Sequence, residues 1–504
     1  MPDKSIIIIG AGIAGLAAGC YGQMNGYRTQ IFELHDKPGG LCTSWKRMGY
    51  TFNGCIHWLV GSGQGSAMNR LWQELGAVQR RQFVNHDEFL RIEGASGKAF
   101  IVYTNVDRLE QHMRELAPAD ADVIHEFAAA VRAFARMDMP LDMPGGWVEW
   151  IKLGVGILPF LRPMRKWSKI TVQDFAARFR DPFLREAFNQ FFGLPDFPMV
   201  GALMTLAWMH KHDAGYPIGG SLEFSEAIEC RYLDLGGELH YRSRVQKILV
   251  DASRDRAVGV CLDDETEHRA DVVISAADGH ATIFDMLEGK YVDDTIRGYY
   301  RELPIFQPMI QVSLGVAHDL SNLPHMSSFP LEKPVRIAGQ ARERMSMKHF
   351  CYDPTLAPKG KSAVVVSFDS NYAYWKQLSE DRERYDAEKQ QIAITVMEQL
   401  DKRLPGFMGQ VEAVDVATPL TTERYTGNWQ GSIEGWMITT RTVGMMFGDG
   451  MKKTLPGLDN FYMAGQWVEP GGGVPTAAMS GRKVMQAICK RDKKPFESTV
   501  PKLN

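Results

Sequence analysis

Apolar positions near the start of the chain fall into two patterns in quick succession. Ser5–Ile9 is an unbroken, largely β-branched run, the signature of a short strand buried on both faces. Gly10-Ala11-Gly12-Ile13-Ala14-Gly15 interrupts it, and small and apolar residues at helical spacing then run to a stop at Gly26. Thr29–Phe32 reads as a second strand, closed by Glu33. A related phrase returns far away: Asn460 to Gly465 reads as a strand ending in glycine. It is followed by Gly471-Gly472-Gly473 and a small-residue helix from Thr476 to about Ile488. Between these ends the pattern predicts a helix over Leu222–Leu235, stopped by Gly236-Gly237, and strands over Glu238–Tyr241, Val245–Val250 and Asp271–Ala276. The charged stretches Asp251–Arg256 and Asp263–Arg269 read as solvated hairpin tips. Ser379–Leu404 reads as a long helix, with Ile392, Val396 and Leu400 at helical spacing and Pro405-Gly406 beyond its end.

Composition narrows the class without naming a function. The 504 residues are 45% hydrophobic and 23% charged, which excludes disordered, collagen-like and coiled-coil chains. A net charge of -3 gives no reason to expect a nucleic-acid partner. The seven cysteines are scattered, odd in number and without a CxxC, so neither a zinc site nor a disulfide framework is expected. A reducing, cytoplasmic setting fits best. Lys4 and the apolar run ending at Cys20 imitate a lipoprotein signal, but the strand–glycine–helix reading accounts for more of the residues.

The glycines have separate physical duties. Gly10 permits the tight turn out of the strand, Gly12 lets backbone approach a pyrophosphate, and Gly15 lets the helix pack closely on the sheet. The helix N-terminus presents oriented N–H groups to phosphates. Glu33, 23 positions after Gly10, stands where an acid receives a ribose 2′-hydroxyl and disfavours a 2′-phosphate. Gly39-Gly40 would admit a second close backbone approach, and the helix after Gly473 would turn its positive end toward developing negative charge.

Together, Gly10/Gly12/Gly15, Glu33, Gly39-Gly40, Gly465 and Gly471-Gly472-Gly473 resemble the phytoene desaturase group of FAD flavoproteins. That group includes carotenoid isomerases and retinol saturases and is related to the amine oxidases. Gly49-Tyr50-Thr51-Phe52-Asn53-Gly54-Cys55-Ile56-His57-Trp58-Leu59-Val60-Gly61 and Tyr216-Pro217-Ile218-Gly219-Gly220-Ser221 look most like its saturase and isomerase branch. The resemblance implies an α/β fold: a discontinuous Rossmann-type FAD-binding domain (1–85, 219–290, 452–504) with an inserted α+β substrate domain (86–218, 291–451). It implies cofactor contacts from Gly10, Gly12, Ala14, Gly15, Glu33, Leu34, Gly39, Gly40, Leu41, Val245, Gly465, Gln466, Gly473 and Val474, with the Val245 backbone at the adenine. Two positions depart from the group's pattern. Gln466 stands where an acid commonly binds the ribityl chain, and Leu41 where arginine is frequent.

The activity so implied is desaturation or saturation of carbon–carbon bonds in a long apolar lipid: a carotenoid, an isoprenoid or a fatty-acyl chain. Oxygen, a quinone or a nicotinamide remain open as electron acceptor. Redox-neutral isomerisation of a polyene, a flavin-free prenyl carrier of the same fold and a flavin amine oxidase are the alternatives. Desaturation needs a base for the proton on the carbon beside the one giving up hydride, and saturation needs an acid there. Glu469, just before the glycine run, and His57, with an ordinary pKa near ~6.5, are the candidates. His210 and His212 lack the companions a metal would need. Residues 147–167 carry tryptophans at both ends and Arg162, Arg165 and Lys166 late, which suits either a membrane interface or a buried helix. The Met-rich stretches Met199–Met209 and Trp436–Met451 suit either a tunnel for a flexible chain or plain core.

Overall fold

Four consecutive isoleucines demand cover on both sides, and the fold supplies it. In the computed structural model, which describes residues 4–502 except 96, 138–140, 142–146, 192 and 447–449, Ser5–Ile9 is the central strand of a five-stranded sheet. Its order is Glu238–His240, Arg28–Phe32, Ser5–Ile9, Val272–Ser275, Phe461–Met463, and every pairing is parallel. Ile6 and Ile8 pack under the helices Ile13–Met24 and Val474–Arg491. Ile7 and Ile9 pack under a three-stranded antiparallel sheet, Val245–Asp251, Arg256–Leu262 and Glu267–Arg269. Three distant stretches of chain thus complete one core, as the discontinuous reading requires.

Small residues set how closely the two helices meet. A Cβ at Gly481 would lie 2.3 Å from the Ala14 carbonyl oxygen, and one at Gly15 would lie 2.0 Å from that of Gly10. Any side chain at either position would push the helix off its neighbour.

The second sheet has seven strands, ordered Val411–Ala417, Met309–Val316, Ser362–Asp369, Gln340–His349, Met326–Ile337, Glu88–Glu93, Ala99–Tyr103. Its pairings are antiparallel except that of Met326–Ile337 with Glu88–Glu93. The helix Arg382–Arg403 buries Ile392, Val396 and Leu400 against one face. A helical layer including Val106–Leu116, Ala121–Ala135 and Met199–His210 forms a separate apolar cluster. Met199 and Met204 belong to that core, as does Trp436 to the cluster under the first sheet.

Local chemistry explains where the elements depart from the pattern. The stretch read as a hairpin tip, Asp263–Arg269, is a turn only as far as residue 266. Asp264 accepts hydrogen bonds from the Thr266 N–H and hydroxyl and closes it, and Glu267–Arg269 continues as an edge strand. His268 packs on the Phe32 ring at 4.6 Å, so a polar-looking run hides a packed residue. The long helix begins at Arg382, because the Asp381 carboxylate caps the N–H groups of Glu383 and Arg384. Ser379 instead closes a separate helix, Tyr372–Leu378. The last helix starts at Val474, with Pro475 in its first turn, where a missing N–H costs nothing. Trp147–Trp167 is one helix of 21 residues despite Pro159 and Pro163. Trp167 is buried and Leu158 and Leu161 are exposed, while the Trp147 side chain lies outside the described residues. No described helix is long and apolar enough to cross a membrane.

Candidate functional site

Glycine-rich turns from both ends of the chain meet at the carboxyl edge of the parallel sheet. Gly12 and Gly39 form a β-bridge, and the Gly39 N–H donates to the Ala11 carbonyl at 2.8 Å. A Cβ at Gly40 would sit 3.4 Å from the Gly12 Cα, and one at Gly465 would sit 3.6 Å from the Ala14 Cβ. A Cβ at Gly12 itself would meet nothing within 4 Å. Gly12 therefore borders open space at the N-terminus of Ile13–Met24, a first turn without any acidic residue. That cradle fits a pyrophosphate, whose charge the uncapped N–H groups would stabilise.

Glu33 ends the second strand, buried, with Oε2 accepting from the Ala11 N–H at 2.6 Å and Oε1 from the His35 N–H at 2.8 Å. Burial pushes its carboxyl up, while the amide donors of His35, Ala11 and Leu34 pull the other way. The carboxylate thus stands within reach of the glycine turn, where a ribose would lie. The Ser243 N–H donates to the Glu33 carbonyl, and Val245 shares an apolar cluster with Ile9 and Phe32. The chain around Val245 is thereby drawn to the same edge. Leu34 and Leu41 are half-buried nearby, Leu34 close to Gly427.

At the far end, Gly471, Gly472 and Gly473 have φ of +126°, +64° and +82°, a run of left-handed backbone that side chains would strain. Gly473 is exposed, and Val474 opens the helix behind it. Gln466 donates from Nε2 to Asn428 Oδ1 at 3.2 Å, so the residue that departs from the flavoprotein pattern is fixed by an amide pair.

The two candidate proton carriers stand in different surroundings. Glu469 is buried with both oxygens on lysines: Lys483 Nζ at 2.5 Å from Oε1 and Lys453 Nζ at 2.6 Å from Oε2. His57 opens onto an internal cavity between the Gly54–Trp58 loop and the seven-stranded sheet. Desolvation beside the cavity and the Lys348 ammonium hold its imidazole well below the usual range. His210 accepts from the Val106 N–H at 3.4 Å and serves the helical layer.

Glu434 was not predicted by any motif. It sits within a turn in which Ser432 Oγ accepts from the Gly435 N–H at 3.1 Å. Its carboxylate lies against the glycine run: a Cβ on Gly472 would be 2.3 Å from Glu434 Oε2. Among the described residues it has no hydrogen bond or ion pair. Burial alone pushes its carboxyl up to about 7. The Cys55 thiol, two residues before His57, is close enough to feel its charge. The only sequence signal was one acid between Ile433 and Gly435-Trp436, in an otherwise uncharged stretch. Asp278 was missed too. Burial pushes it up to about 7, and it accepts from the Ala281 and Trp429 N–H groups at 2.8 Å, stapling two loops.

Comparison with known proteins agrees with this geometry. A family model described as flavin containing amine oxidoreductase matches residues 13–489. Prolycopene isomerase of Arabidopsis thaliana is 24% identical, over 94% of this chain and 81% of its own. Phytoene desaturase (neurosporene-forming) of Rhodobacter capsulatus is 26% identical, over 96% and 93%. The structure of an oxidoreductase from Methanosarcina mazei superposes with a TM-score of 0.59 at 18% identity, over 96% of this chain and 100% of that one.

Proposed function

This chain belongs to the flavin containing amine oxidoreductase family, and from that premise we propose that it adds or removes hydrogen across carbon–carbon bonds of a long apolar polyene or isoprenoid chain. The relatives' names support the substrate class: an isomerase and a desaturase that act on carotenoid hydrocarbons. FAD is the cofactor of the family, and when bound it supplies the hydride exchange that such chemistry needs. Gly12 and the first turn of Ile13–Met24 would hold its pyrophosphate, Glu33 its ribose, and the end of Val474–Arg491 its ring.

The observation that carries the reading is the unpaired Glu434 carboxyl against Gly472. A group pushed up to about 7 is half protonated near neutral pH, so it can give a proton in saturation or take one in desaturation. In this reading Glu434 moves the proton and Glu469, held between two lysines, anchors the glycine run. The side chains of Trp58, Phe89, Met209 and Met326 give the adjoining cavity part of its wall, beside His57 and other polar groups. The exposed Leu158 and Leu161, beside exposed Arg162 and Arg165, would rest on a membrane surface from which an apolar substrate is drawn.

The test is turnover of a polyene by the flavin-loaded enzyme, compared between Glu434→Gln and Glu469→Gln. Glu434→Gln is expected to keep its flavin and lose about a hundredfold or more in rate. Glu469→Gln is expected to lower thermal stability and change the rate much less. Full activity in Glu434→Gln would remove Glu434 from the chemistry. A colourless protein that cannot be reconstituted with FAD would remove the whole reading.

A further inference from the structure

We infer that the cavity around Lys348 receives a carboxylate at one end of the apolar substrate. This rests on the function proposed above and specifies the substrate further. Lys348 projects from the strand Gln340–His349, only 7% exposed. Among the described residues its ammonium has no hydrogen bond or ion pair, and its one ring contact is Phe350 at 5.2 Å. The cavity it faces is also lined by His57, His86 and His325, and by no carboxylate. Asp353, a buried acid that bonds the lining residue Tyr216, is committed elsewhere. It accepts from the Tyr216 hydroxyl at 2.9 Å, the Gly219 N–H at 3.0 Å, and the Thr355 N–H and hydroxyl.

Two more buried polar atoms lack a hydrogen-bond partner: His86 Nε2, on a ring that lines the cavity, and Tyr352 Oη, on a ring packed behind it. Their rings are in contact with each other and with the His325 ring, the two imidazoles stacked at 3.7 Å. Buried polar groups are ordinarily paired, so one ammonium and two further unpaired polar groups together describe a site for an oxygen-rich, negatively charged group. Burial pushes the Lys348 amine down to about 7, the response of an amine without a counter-charge.

Size and lining select the kind of anion. The cavity measures about 20 Å³, room for the two oxygens of a carboxylate and too little for a phosphate ester, so the attached carbon chain lies outside it. Trp58, Phe89, Met209 and Met326 stand in the same lining beside the polar Asn85, Thr104 and Tyr216, so apolar surface is at hand for the chain that leaves the carboxylate. A hydrocarbon or alcohol end would fit the walls but leave the ammonium unpaired. Cys55, beside Glu434, lies two residues from His57, so one short loop joins this cavity to the proposed proton carrier. The reacting bond then lies toward the carboxylate end of the chain.

The probes are all-trans-retinoic acid and its methyl ester, titrated into the flavin-loaded enzyme at pH 7 by tryptophan fluorescence quenching. The acid is expected to bind about tenfold tighter than the ester. Lys348→Met should erase that preference and leave ester binding within about twofold, and Lys348→Arg should retain part of it. Equal binding of acid and ester to the unaltered enzyme, or a preference that survives in Lys348→Met, overturns the carboxylate site alone. Failure of both probes to bind overturns the polyene reading as well.

Discussion

Replacing Lys348 by methionine should make the protein more stable, by an amount that depends on pH. In the unfolded chain the amine has its ordinary value of 10.5, and in the fold burial brings it down to about 7. The difference of about 3.5 pH units, at about 1.36 kcal/mol each, is a ceiling of about 5 kcal/mol. Relaxation and water entry reduce such penalties, so about 2 kcal/mol is the working figure. The sign follows from the proton balance. Between about 7 and 10.5 the unfolded chain holds a proton that the folded one lacks, so stability rises with pH across that window. The cost is full below about 7 and absent above 10.5. The other ionisable groups facing Lys348 are Tyr216, held above its usual range by burial, and His57, His86, His325 and His349. The histidines are shifted below the usual imidazole range, and all five groups stay silent in this window. Methionine has similar length and needs no counter-charge. In a chain of this size about 2 kcal/mol corresponds to a rise of roughly 2–4 °C in Tm at pH 6, shrinking toward zero by pH 10.5. Thermal unfolding of the flavin-loaded protein at pH 6, 8 and 10 reads this directly. A lower Tm at pH 6, or a shift that ignores pH, would show that the ammonium has a partner in the fold.

The remaining predictions concern the site and its surroundings. With Glu434 at about 7, desaturation should lose about tenfold in rate per pH unit below that value, and saturation about tenfold per unit above it. The slope of kcat/KM against pH therefore reports direction, and a flat profile from pH 5 to 9 would exclude Glu434. Gly472→Ala should lower flavin content in the purified protein, since the new Cβ needs φ of +64° and would lie 2.3 Å from Glu434 Oε2; unaltered flavin content would mean that the turn tolerates a side chain. Leu158→Glu with Leu161→Glu should weaken co-sedimentation with liposomes without moving Tm, because both side chains are exposed; unchanged co-sedimentation would argue against a membrane-facing helix.

The parts of this molecule that sequence made legible are those in which one backbone conformation demands one residue type. Ile6–Ile9 declared a strand covered on both faces, and Gly10, Gly12 and Gly15 declared the turn and helix that follow. Glu33 was placed by its distance along the chain and stands at the glycine turn as expected. Where a role depends on what surrounds a side chain, sequence was silent. Glu469 and Glu434 are both acids flanking glycines, yet one is taken by Lys453 and Lys483 and the other is unpaired. That difference is made by lysines 14 and 16 positions from Glu469, which no local pattern contains. Lys348 was invisible for the same reason. Its strand reads as an ordinary mixture of charged residues and methionines, and only the meeting with the 54–58 and 85–89 segments leaves its ammonium enclosed.

The order of strands in the parallel sheet bears on how the protein is made. Ser5–Ile9 is paired on one side by Val272–Ser275, which is itself paired by Phe461–Met463. The helix Ile13–Met24 waits for Val474–Arg491 to cover it. At about 5–20 residues per second, a ribosome would need roughly half a minute to a minute and a half between the first of these elements and the last. Through that interval the isoleucine strand and its glycine turn exist without their final neighbours, exposed to any chaperone or wrong partner that finds them. A nascent chain released before its last helix would lack the N-terminus that closes the far end of the cradle. Flavin capture and completion of the sheet should therefore arrive together, once Val474–Arg491 has been made.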